Sequence, residues 1–293
     1  MNTCIKTPRI SAIIESKGAQ LVSLIYNETE FIWQRDAAFW GKCSPVLFPV
    51  VGILKNGKTQ INGQDFFIPK HGFASGSDFT VESQSPDSVC FSLCSDEKTK
   101  AVYPFDFKLS ITYTLKDDSI SFEYAVENTG GSDMLYGIGG HPAFNCPLKA
   151  DESFEDYEIR FEKDESEGCP LLNKNGIIHP DIRSNPFSDS KTISLDYALF
   201  DNDALIFDKL RSRKVRLISK KSGFGVQMNF DGFNYFGIWT PDQKRAPFVC
   251  LEPWTSLNDY TGESENFEQK RGIKKLTPGM SDRFKFTITC FCP

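Results

Sequence analysis

The chain has 293 residues and a formal net charge of −6 at pH 7, and 40% of its residues are hydrophobic. A chain of this length and composition folds around a large core, and its negative charge argues against a nucleic-acid partner. Because it has neither an apolar run of about 18 residues nor a signal-peptide pattern, we expect no membrane contact and a cytoplasmic location.

The predicted elements are mainly strands, and a hairpin in the first half of the chain gives the clearest pattern. Residues 107–115 and 120–127 alternate apolar and polar side chains on either side of a short polar turn. This alternation is typical of two antiparallel strands that bury one face. Similar patterns predict strands at 20–26, 88–94, 134–138, 157–161, 215–219, 225–230, 235–239 and 283–291.

Helical periodicity is scarce and confined to two short stretches, 36–40 and 264–271. Residues 149–190 are rich in Asp, Glu, Asn and Ser, and we expect long loops around one hairpin there. Many strands with polar turns and few short helices indicate an all-β fold, a large antiparallel β-sandwich. Since no repeat, linker or composition break divides the chain, we predict a single domain over residues 1–293.

The chain has nine cysteines, an odd number. Cys90 and Cys94 share one face of a predicted strand, as do Cys290 and Cys292, but neither pair has the C-x-x-C spacing of zinc and redox sites. We interpret the thiols as reduced and mostly structural, as expected in the cytoplasm. The sequence also lacks a glycine-rich phosphate loop and a metal-ligand cluster, so we predict no cofactor and no metal.

Two of the three histidines and one glutamate lie in short segments suited to acid–base chemistry. His141 stands in a Gly-Gly-His-Pro segment and His71 in Lys-His-Gly-Phe. Glu252 stands in Leu-Glu-Pro-Trp, where desolvation by apolar neighbours would raise its pKa toward neutrality. The residues alone leave two interpretations open: a general acid and base, or histidines that shape loops and a glutamate ion-paired at a strand end. His179, in a polar stretch, is the comparison and is expected to be idle.

Spacing alone does not join these segments, which are 70 and 111 residues apart. No Ser-His-Asp nucleophile motif competes with them. Trp239 and Trp254 offer aromatic faces for the C–H face of a sugar, or are plain core residues.

Further segments occur in a fixed order along nearly the whole chain. They are Gly18-Ala19-Gln20-Leu21-Val22-Ser23-Leu24, Phe31-Ile32-Trp33-Gln34, Ser44-Pro45-Val46-Leu47-Phe48-Pro49-Val50-Val51-Gly52, Leu54-Lys55-Asn56-Gly57, Pro69-Lys70-His71-Gly72-Phe73-Ala74, Gly139-Gly140-His141-Pro142-Ala143-Phe144-Asn145, Cys250-Leu251-Glu252-Pro253-Trp254 and Leu276-Thr277-Pro278-Gly279. In this order the segments resemble the aldose 1-epimerase (galactose mutarotase) superfamily, specifically its LacX-like branch. The resemblance implies a many-stranded antiparallel β-supersandwich, galactose mutarotase-like, with a groove on one sheet. That fold agrees with the alternation described above.

The resemblance also implies a reaction, the interconversion of the α and β anomers of a hexose. Glu252 would be the general base that removes the proton of the C1 hydroxyl, and His141 the general acid that protonates the ring oxygen. His71 would hydrogen-bond near the ring oxygen and orient the sugar. Ring opening needs one proton removed and another added, which fits a site without cofactor or metal.

By the same resemblance we expect the sugar contacts to come from Lys55, Asn56, Phe73, Asn145 and Trp254. Ile53 stands where many relatives carry an arginine, so the identity of the sugar is left open. The expected partner is a small-molecule sugar, bound by a monomer or a homodimer.

Three alternatives remain open at this point. A non-catalytic sugar-binding protein on the same fold would not need His141 and Glu252 together. A glycoside hydrolase or lyase is a second alternative, but glycoside hydrolysis generally uses two carboxylates and one well-framed glutamate is present. A hexose-6-phosphate 1-epimerase would place arginines at the phosphate end, and Ile53 counts against it.

Overall fold

The structure, a computed structural model, describes residues 1–241 and 243–293. The strands in chain order are β1 (Asn2–Lys6), β2 (Ile10–Glu15), β3 (Gln20–Tyr26), β4 (Thr29–Glu30), β5 (Val46–Leu47), β6 (Lys58–Ile61), β7 (Gln64–Phe67), β8 (Thr80–Gln84), β9 (Ser88–Cys94), β10 (Phe107–Lys116), β11 (Ser119–Asn128), β12 (Met134–Tyr136), β13 (Gly139–Gly140), β14 (Ala143–Asn145), β15 (Tyr157–Phe161), β16 (Cys169–Leu172), β17 (Ile178–Ser184), β18 (Thr192–Ser194), β19 (Leu205–Phe207), β20 (Lys214–Ser219), β21 (Gly225–Asn229), β22 (Tyr235–Trp239), β23 (Phe248–Trp254), β24 (Lys274–Leu276) and β25 (Ser281–Phe291). Neighbouring strands within the sheets run antiparallel. The predicted all-β, antiparallel fold class is confirmed.

The largest sheet has nine strands, in the order β18-β15-β20-β21-β25-β11-β10-β9-β8. Its central hairpin joins β10 to β11 through a two-residue turn at Asp117 and Asp118, with Lys116 opposite Ser119. The buried side chains of both strands alternate with more exposed ones, as expected for a sheet with one face on the core. The hairpin predicted from the alternation is therefore confirmed.

A second sheet of six shorter strands carries the candidate site. Its order is β19-β22-β23-β13-β5, and β14 also pairs with β23. All seven residues of β23 are buried. This strand is therefore covered on both faces, unlike β10 and β11 of the nine-stranded sheet.

The nine-stranded sheet packs against the back of the six-stranded sheet. A Cβ on Gly140 of β13 would lie 2.9 Å from the ring of Phe286 and from the hydroxyl of Tyr124. A glycine is needed at this position because it has no Cβ. Phe286 in turn stacks on Phe122 with ring centroids 4.3 Å apart. These contacts hold in place the strand that leads to His141.

The remaining strands form a four-stranded sheet, β1-β2-β3-β4, and three pairs, β6-β7, β12-β24 and β16-β17. The pair β16-β17 is the hairpin expected within residues 149–190. It lies over the six-stranded sheet, because Ile178 of β17 packs in one cluster with Leu47 and Trp254.

Helices are few and short in the described part of the chain. The α-helix α1 spans Glu97–Val102, and 3-10 turns occupy Lys55–Gly57, Ala74–Gly76, Phe154–Asp156, Tyr197–Phe200 and Phe267–Gln269. The helical stretch expected at 264–271 shortens to the last of these turns. Residues 36–40 form a turn in which the N–H groups of Phe39 and Trp40 donate to Asp36 O. None of the helices among the described residues is long and apolar enough to cross a membrane. A single domain over residues 1–293 stays a prediction.

Candidate active site

Antiparallel register places His141 directly opposite Glu252. Gly139 of β13 pairs with Trp254 at the end of β23, and β14 continues the same register farther along β23. His141, between β13 and β14, therefore faces Glu252. The two side chains meet with His141 Nε2 3.2 Å from Glu252 Oε2. Strand pairing thus brings together two residues that are 111 positions apart in sequence.

Gly139, two residues before His141, permits close packing beside the His141–Glu252 pair. A Cβ on Gly139 would lie 2.8 Å from Cδ1 of Trp254, closer than Cβ atoms come to such neighbours. The glycine therefore lets the Trp254 indole lie against the strand that carries His141.

His71 reaches the same place from a loop rather than from a strand. Its backbone N–H donates to Gly52 O (2.9 Å), and the Gly52 N–H donates to His71 Nδ1 (3.1 Å). Because Nδ1 accepts a hydrogen bond, the neutral imidazole carries its proton on Nε2. The ring is nearly perpendicular to that of His141, with centroids 5.6 Å apart. The backbone of His71 has a φ of 65°, a conformation that the hydrogen-bonded loop maintains.

These three side chains line one cavity of about 370 Å³, a size suited to a small molecule. Trp40 stacks on His141 with centroids 5.0 Å apart, and Trp239 meets the same ring edge-on at 5.6 Å. The other lining residues are Lys42, Pro45, Leu47, Lys70, Ser75, Leu172, Asp203, Ala204, Ile206, Trp254 and Asn258. Aromatic and apolar walls with a few polar groups are typical of small-molecule sites.

Burial sets the electrostatics of the His141–Glu252 pair. Desolvation raises the pKa of Glu252 well above its ordinary value and lowers the pKa of His141 to about 3. Burial also lowers the pKa of His71. The surroundings therefore favour a protonated carboxyl beside a neutral imidazole over a carboxylate beside an imidazolium. The contact between His141 Nε2 and Glu252 Oε2 is close in distance, but Glu252 Oε2 accepts no hydrogen bond from a described residue.

The same cluster holds a set of metal donors. His141, Cys250 and Glu252 each place one donor atom within 4.8 Å of the others. Burial raises the pKa of the Cys250 thiol well above its ordinary value. A protonated thiol is a poor metal ligand, because metals bind the thiolate. A site without metal stays our prediction, and this chemistry supports it.

The structure places the expected sugar contacts in different parts of the molecule. Trp254 lines the cavity with His141 and Glu252. Lys55 and Asn56 instead line a separate cavity of about 460 Å³, together with Ile53. The backbone N–H of Lys55 donates to a carboxylate oxygen of Asp259 at 2.8 Å, which holds the 3-10 turn there.

Phe73, Asn145 and His179 do not line the cavity with His141 and Glu252. Phe73 packs against the rings of Phe48 and Tyr103 at 6.2 and 6.1 Å. The Asn145 side-chain amide donates to Glu30 O at 3.0 Å and so supports the backbone. His179 lies on β17, opposite Leu171 of β16.

Several polar cavity residues were missed by reasoning from the sequence: Lys42, Lys70, Ser75, Asp203 and Asn258. Lys70 carried a signal, since it adjoins His71 within a segment that supports the resemblance. Asn258 follows the Leu-Glu-Pro-Trp segment; its Nδ2 donates to Gly176 O at 2.7 Å, and its buried Oδ1 has no partner among the described residues. Lys42 and Asp203 lie in loops, where no sequence pattern distinguishes them.

Comparisons with known proteins agree with this fold. A sequence profile of the family described as Aldose 1-epimerase matches residues 2–271. The chromosomal protein LacX of Lactococcus lactis subsp. lactis is 35% identical, over 97% of this chain and 98% of its own length. A solved structure of a galactose mutarotase related enzyme from Lactobacillus acidophilus is similar with 32% identity and a TM-score of 0.94, covering 99% of this chain and 97% of that one. A galactose mutarotase-like protein from Lactobacillus casei ATCC 334 has 29% identity and a TM-score of 0.94, over 99% and 100% of the two chains.

Proposed function

Because this chain belongs to the aldose 1-epimerase family, we propose that it interconverts the α and β anomers of a hexose by opening and closing the sugar ring. One observation carries the proposal: an imidazole and a carboxyl lie 3.2 Å apart at the wall of a cavity of small-molecule size. Ring opening needs one group to take the proton of the C1 hydroxyl and another to give a proton to the ring oxygen. Glu252 and His141 supply these two groups.

In the proposed reaction, Glu252 is the general base and His141 is the general acid. Glu252 takes the proton of the C1 hydroxyl, the C1 carbonyl forms as the bond from C1 to the ring oxygen breaks, and His141 gives its proton to that oxygen. The open-chain aldehyde turns about its C1–C2 bond. The same steps then run in reverse on the other face of the carbonyl. The pair ends the cycle with the proton that it held at the start, so the reaction needs no co-reactant.

Burial assists the ring-opening step. Ring opening starts from the charged form of the pair, a carboxylate and an imidazolium, which is the less populated form in this desolvated site, and it ends in the neutral form that the site favours. The raised pKa of Glu252 makes its carboxylate a stronger base, and the lowered pKa of His141 makes its imidazolium a stronger acid. The opposite pKa shifts therefore suit the opposite roles.

His71 is the proposed orienting residue. The hydrogen bond from the Gly52 N–H occupies Nδ1, which leaves the Nε2–H to donate to the ring oxygen or to a neighbouring hydroxyl. Trp40, Trp239 and Trp254 offer aromatic faces against which the C–H groups of a sugar can pack.

Glu252→Gln and His141→Asn test the assignment. Each should lower the rate of anomer interconversion about 100-fold or more, the scale of one general acid or base, while far-UV circular dichroism stays that of the wild type. Polarimetry of freshly dissolved α-glucose and α-galactose, corrected for uncatalysed mutarotation, measures the rate. A wild-type rate in either folded variant would refute the acid–base pair. A sugar that binds without any catalysed interconversion would favour the non-catalytic binding protein.

A further inference from the structure

We propose that Asp259 and Lys270 are positioning residues for the proposed reaction. Their buried ion pair holds the loop of residues 52–55 in the place where Gly52 sets the tautomer of His71. The inference rests on the proposed function, in which the Nε2–H of His71 orients the sugar.

Lys270 and Asp259 form an ion pair inside the protein. Nζ of Lys270 lies 2.7 Å from Oδ2 of Asp259, and the two side chains are only 5% and 3% exposed. In each of the other pairs between a lysine or arginine and a carboxylate among the described residues, one side chain is at least 21% exposed. A buried ion pair adds little net stability, because both charges lose their hydration. The pair is therefore better explained by what it holds in place.

Asp259 connects the ion pair to the loop of residues 52–55. Its Oδ2 accepts the backbone N–H of Lys55 at 2.8 Å as well as the ammonium group of Lys270. The backbone N–H of Asp259 donates to Ile53 O at 2.9 Å. Two hydrogen bonds thus fix the loop to Asp259, and the ammonium group fixes the carboxylate that accepts one of them.

The same loop sets the orientation of His71 through Gly52. The Gly52 N–H donates to Nδ1 of His71 at 3.1 Å, and Gly52 O accepts the backbone N–H of His71 at 2.9 Å. A Cβ on Gly52 would lie 1.8 Å from Oδ1 of Asn258, so Gly52 packs directly against the residue that precedes Asp259. Because the Gly52 N–H occupies Nδ1, the neutral imidazole keeps its proton on Nε2. The position of the loop therefore decides which nitrogen of His71 can donate to the sugar.

Loss of the ion pair should free the loop and leave the core of the protein in place. Without a fixed Gly52 N–H, the neutral His71 imidazole has no preferred tautomer, and only the Nε2–H form can donate to the sugar as proposed. The sugar would then lose most of one hydrogen bond, which is worth about tenfold in binding.

Asp259→Leu combined with Lys270→Met tests the inference, because the double replacement leaves no buried charge unpaired. Apolar replacement of both members of a buried ion pair is often neutral for stability, so the midpoint of urea unfolding should stay close to that of the wild type. Polarimetry of α-glucose and α-galactose should show kcat/KM lowered about tenfold. Lys100→Met with Asp106→Leu changes an exposed pair of the same 2.7 Å length and is the matched control, with kcat/KM unchanged.

Two further measurements separate the positioning of His71 from a general structural role. Long-range ¹H–¹⁵N NMR of protein labelled at histidine reports which ring nitrogen carries the proton. His71 should carry it on Nε2 in the wild type and on either nitrogen in the double variant, while the signals of His179 stay the same. Adding His71→Gln to the double variant should lower kcat/KM no further than His71→Gln alone does, because a pair that acts through His71 then has nothing to position.

The outcomes separate the inference from the proposed function. Wild-type kcat/KM with an unchanged His71 tautomer in the folded double variant overturns the inference and leaves the proposed function standing. Losses of kcat/KM that add fully to those of His71→Gln also overturn it, because the pair would then act elsewhere.

If the double variant does not fold, Asp259→Asn with Lys270→Gln, which removes both charges and keeps polar side chains, takes its place. Wild-type kcat/KM and tautomer in that variant likewise overturn the role of the ion pair. If the wild type interconverts neither sugar, the proposed function fails, and the tautomer of His71 in the wild type and the variant alone decides whether the pair positions this residue.

Discussion

The two large sheets of this molecule differ in what they bury. In the nine-stranded sheet, β10 and β11 bury every second residue, and most of these residues are apolar. In the six-stranded sheet, β23 buries all seven of its residues, including Glu252. The first pattern is that of a sheet with one face on the core. The second leaves Glu252 only 1% exposed, which disfavours the charged form of its carboxyl.

The nine-stranded sheet contributes mainly to the stability of the fold, and the six-stranded sheet carries the acid–base groups. Burial of apolar faces stabilises the nine-stranded sheet, whereas burial of Glu252 and His141 disfavours their charged forms and moves their pKa values in opposite directions. The six-stranded sheet is supported from behind by the larger one, where Phe286 lies against Gly140. Substitutions in the larger sheet should therefore change unfolding, and substitutions in the smaller sheet should change the rate.

The largest expected effect is the loss of a buried side chain from the nine-stranded sheet. Ile111 of β10 is fully buried, and Ile111→Ala should lower the free energy of unfolding by about 2–5 kcal/mol, because it leaves a cavity in the core. Urea unfolding followed by tryptophan fluorescence measures the change. The rate of anomer interconversion per folded molecule should stay at the wild-type level. A slower folded variant would show that the two sheets cannot be treated separately.

A smaller change in the free energy of unfolding, of the opposite sign, is expected for Glu252→Gln. Burial raises the pKa of Glu252 in the folded chain, so above its ordinary value of 4.5 the folded state binds more protons than the unfolded state. The stability that this group contributes is fully present below 4.5 and is lost as the pH rises through the raised pKa. The loss is up to about 1.4 kcal/mol per pH unit. Because Glu252→Gln cannot ionise, its free energy of unfolding should rise relative to that of the wild type as the pH increases.

Urea unfolding of both proteins between about pH 5 and about pH 8, where native proteins are generally most stable, measures this difference. Glu127→Gln, the same substitution at an exposed position of β11, gives the effect of the amide itself. A difference between wild type and Glu252→Gln that is constant with pH would mean that the six-stranded sheet does not desolvate the carboxyl. Burial in the six-stranded sheet would then not disfavour the charged form of Glu252, and the two sheets would not differ in the way described above.

The nine-stranded sheet is the easier part to predict from the sequence, because the residues that specify each of its strands are neighbours in the sequence. Apolar and polar residues alternate over residues 107–115 and 120–127, and this period of two predicts both strands of the hairpin and the face that they bury. The structure differs from this prediction by one residue at each strand end next to the turn and by one residue at the far end of β11, which ends at Asn128.

The candidate site is harder to predict, because it depends on pairing between distant segments. The resemblance supplies His71, His141 and Glu252, but no local pattern near His141 shows that β13 and β14 pair with β23. Sequence patterns mark strands and do not show which loops approach one cavity, so Lys42 and Asp203 carried no signal. Lys55 and Asn56 belong to a segment of the resemblance, yet their 3-10 turn carries them to a separate cavity.

The smallest expected effect comes from a third region, the hairpin β16-β17 that lies over the six-stranded sheet. Ile178 packs in one cluster with Trp254, and Leu172 lines the cavity, whereas the neighbouring His179 does not. His179→Asn, the same substitution as His141→Asn, should change the rate less than about twofold and the free energy of unfolding by less than about 0.5 kcal/mol. Polarimetry and urea unfolding under the same conditions measure both quantities. Because successive residues of a strand face opposite sides, a large loss of rate would mean that the hairpin turns its other face to the sugar. The chemistry would then no longer belong to the six-stranded sheet and its loops alone.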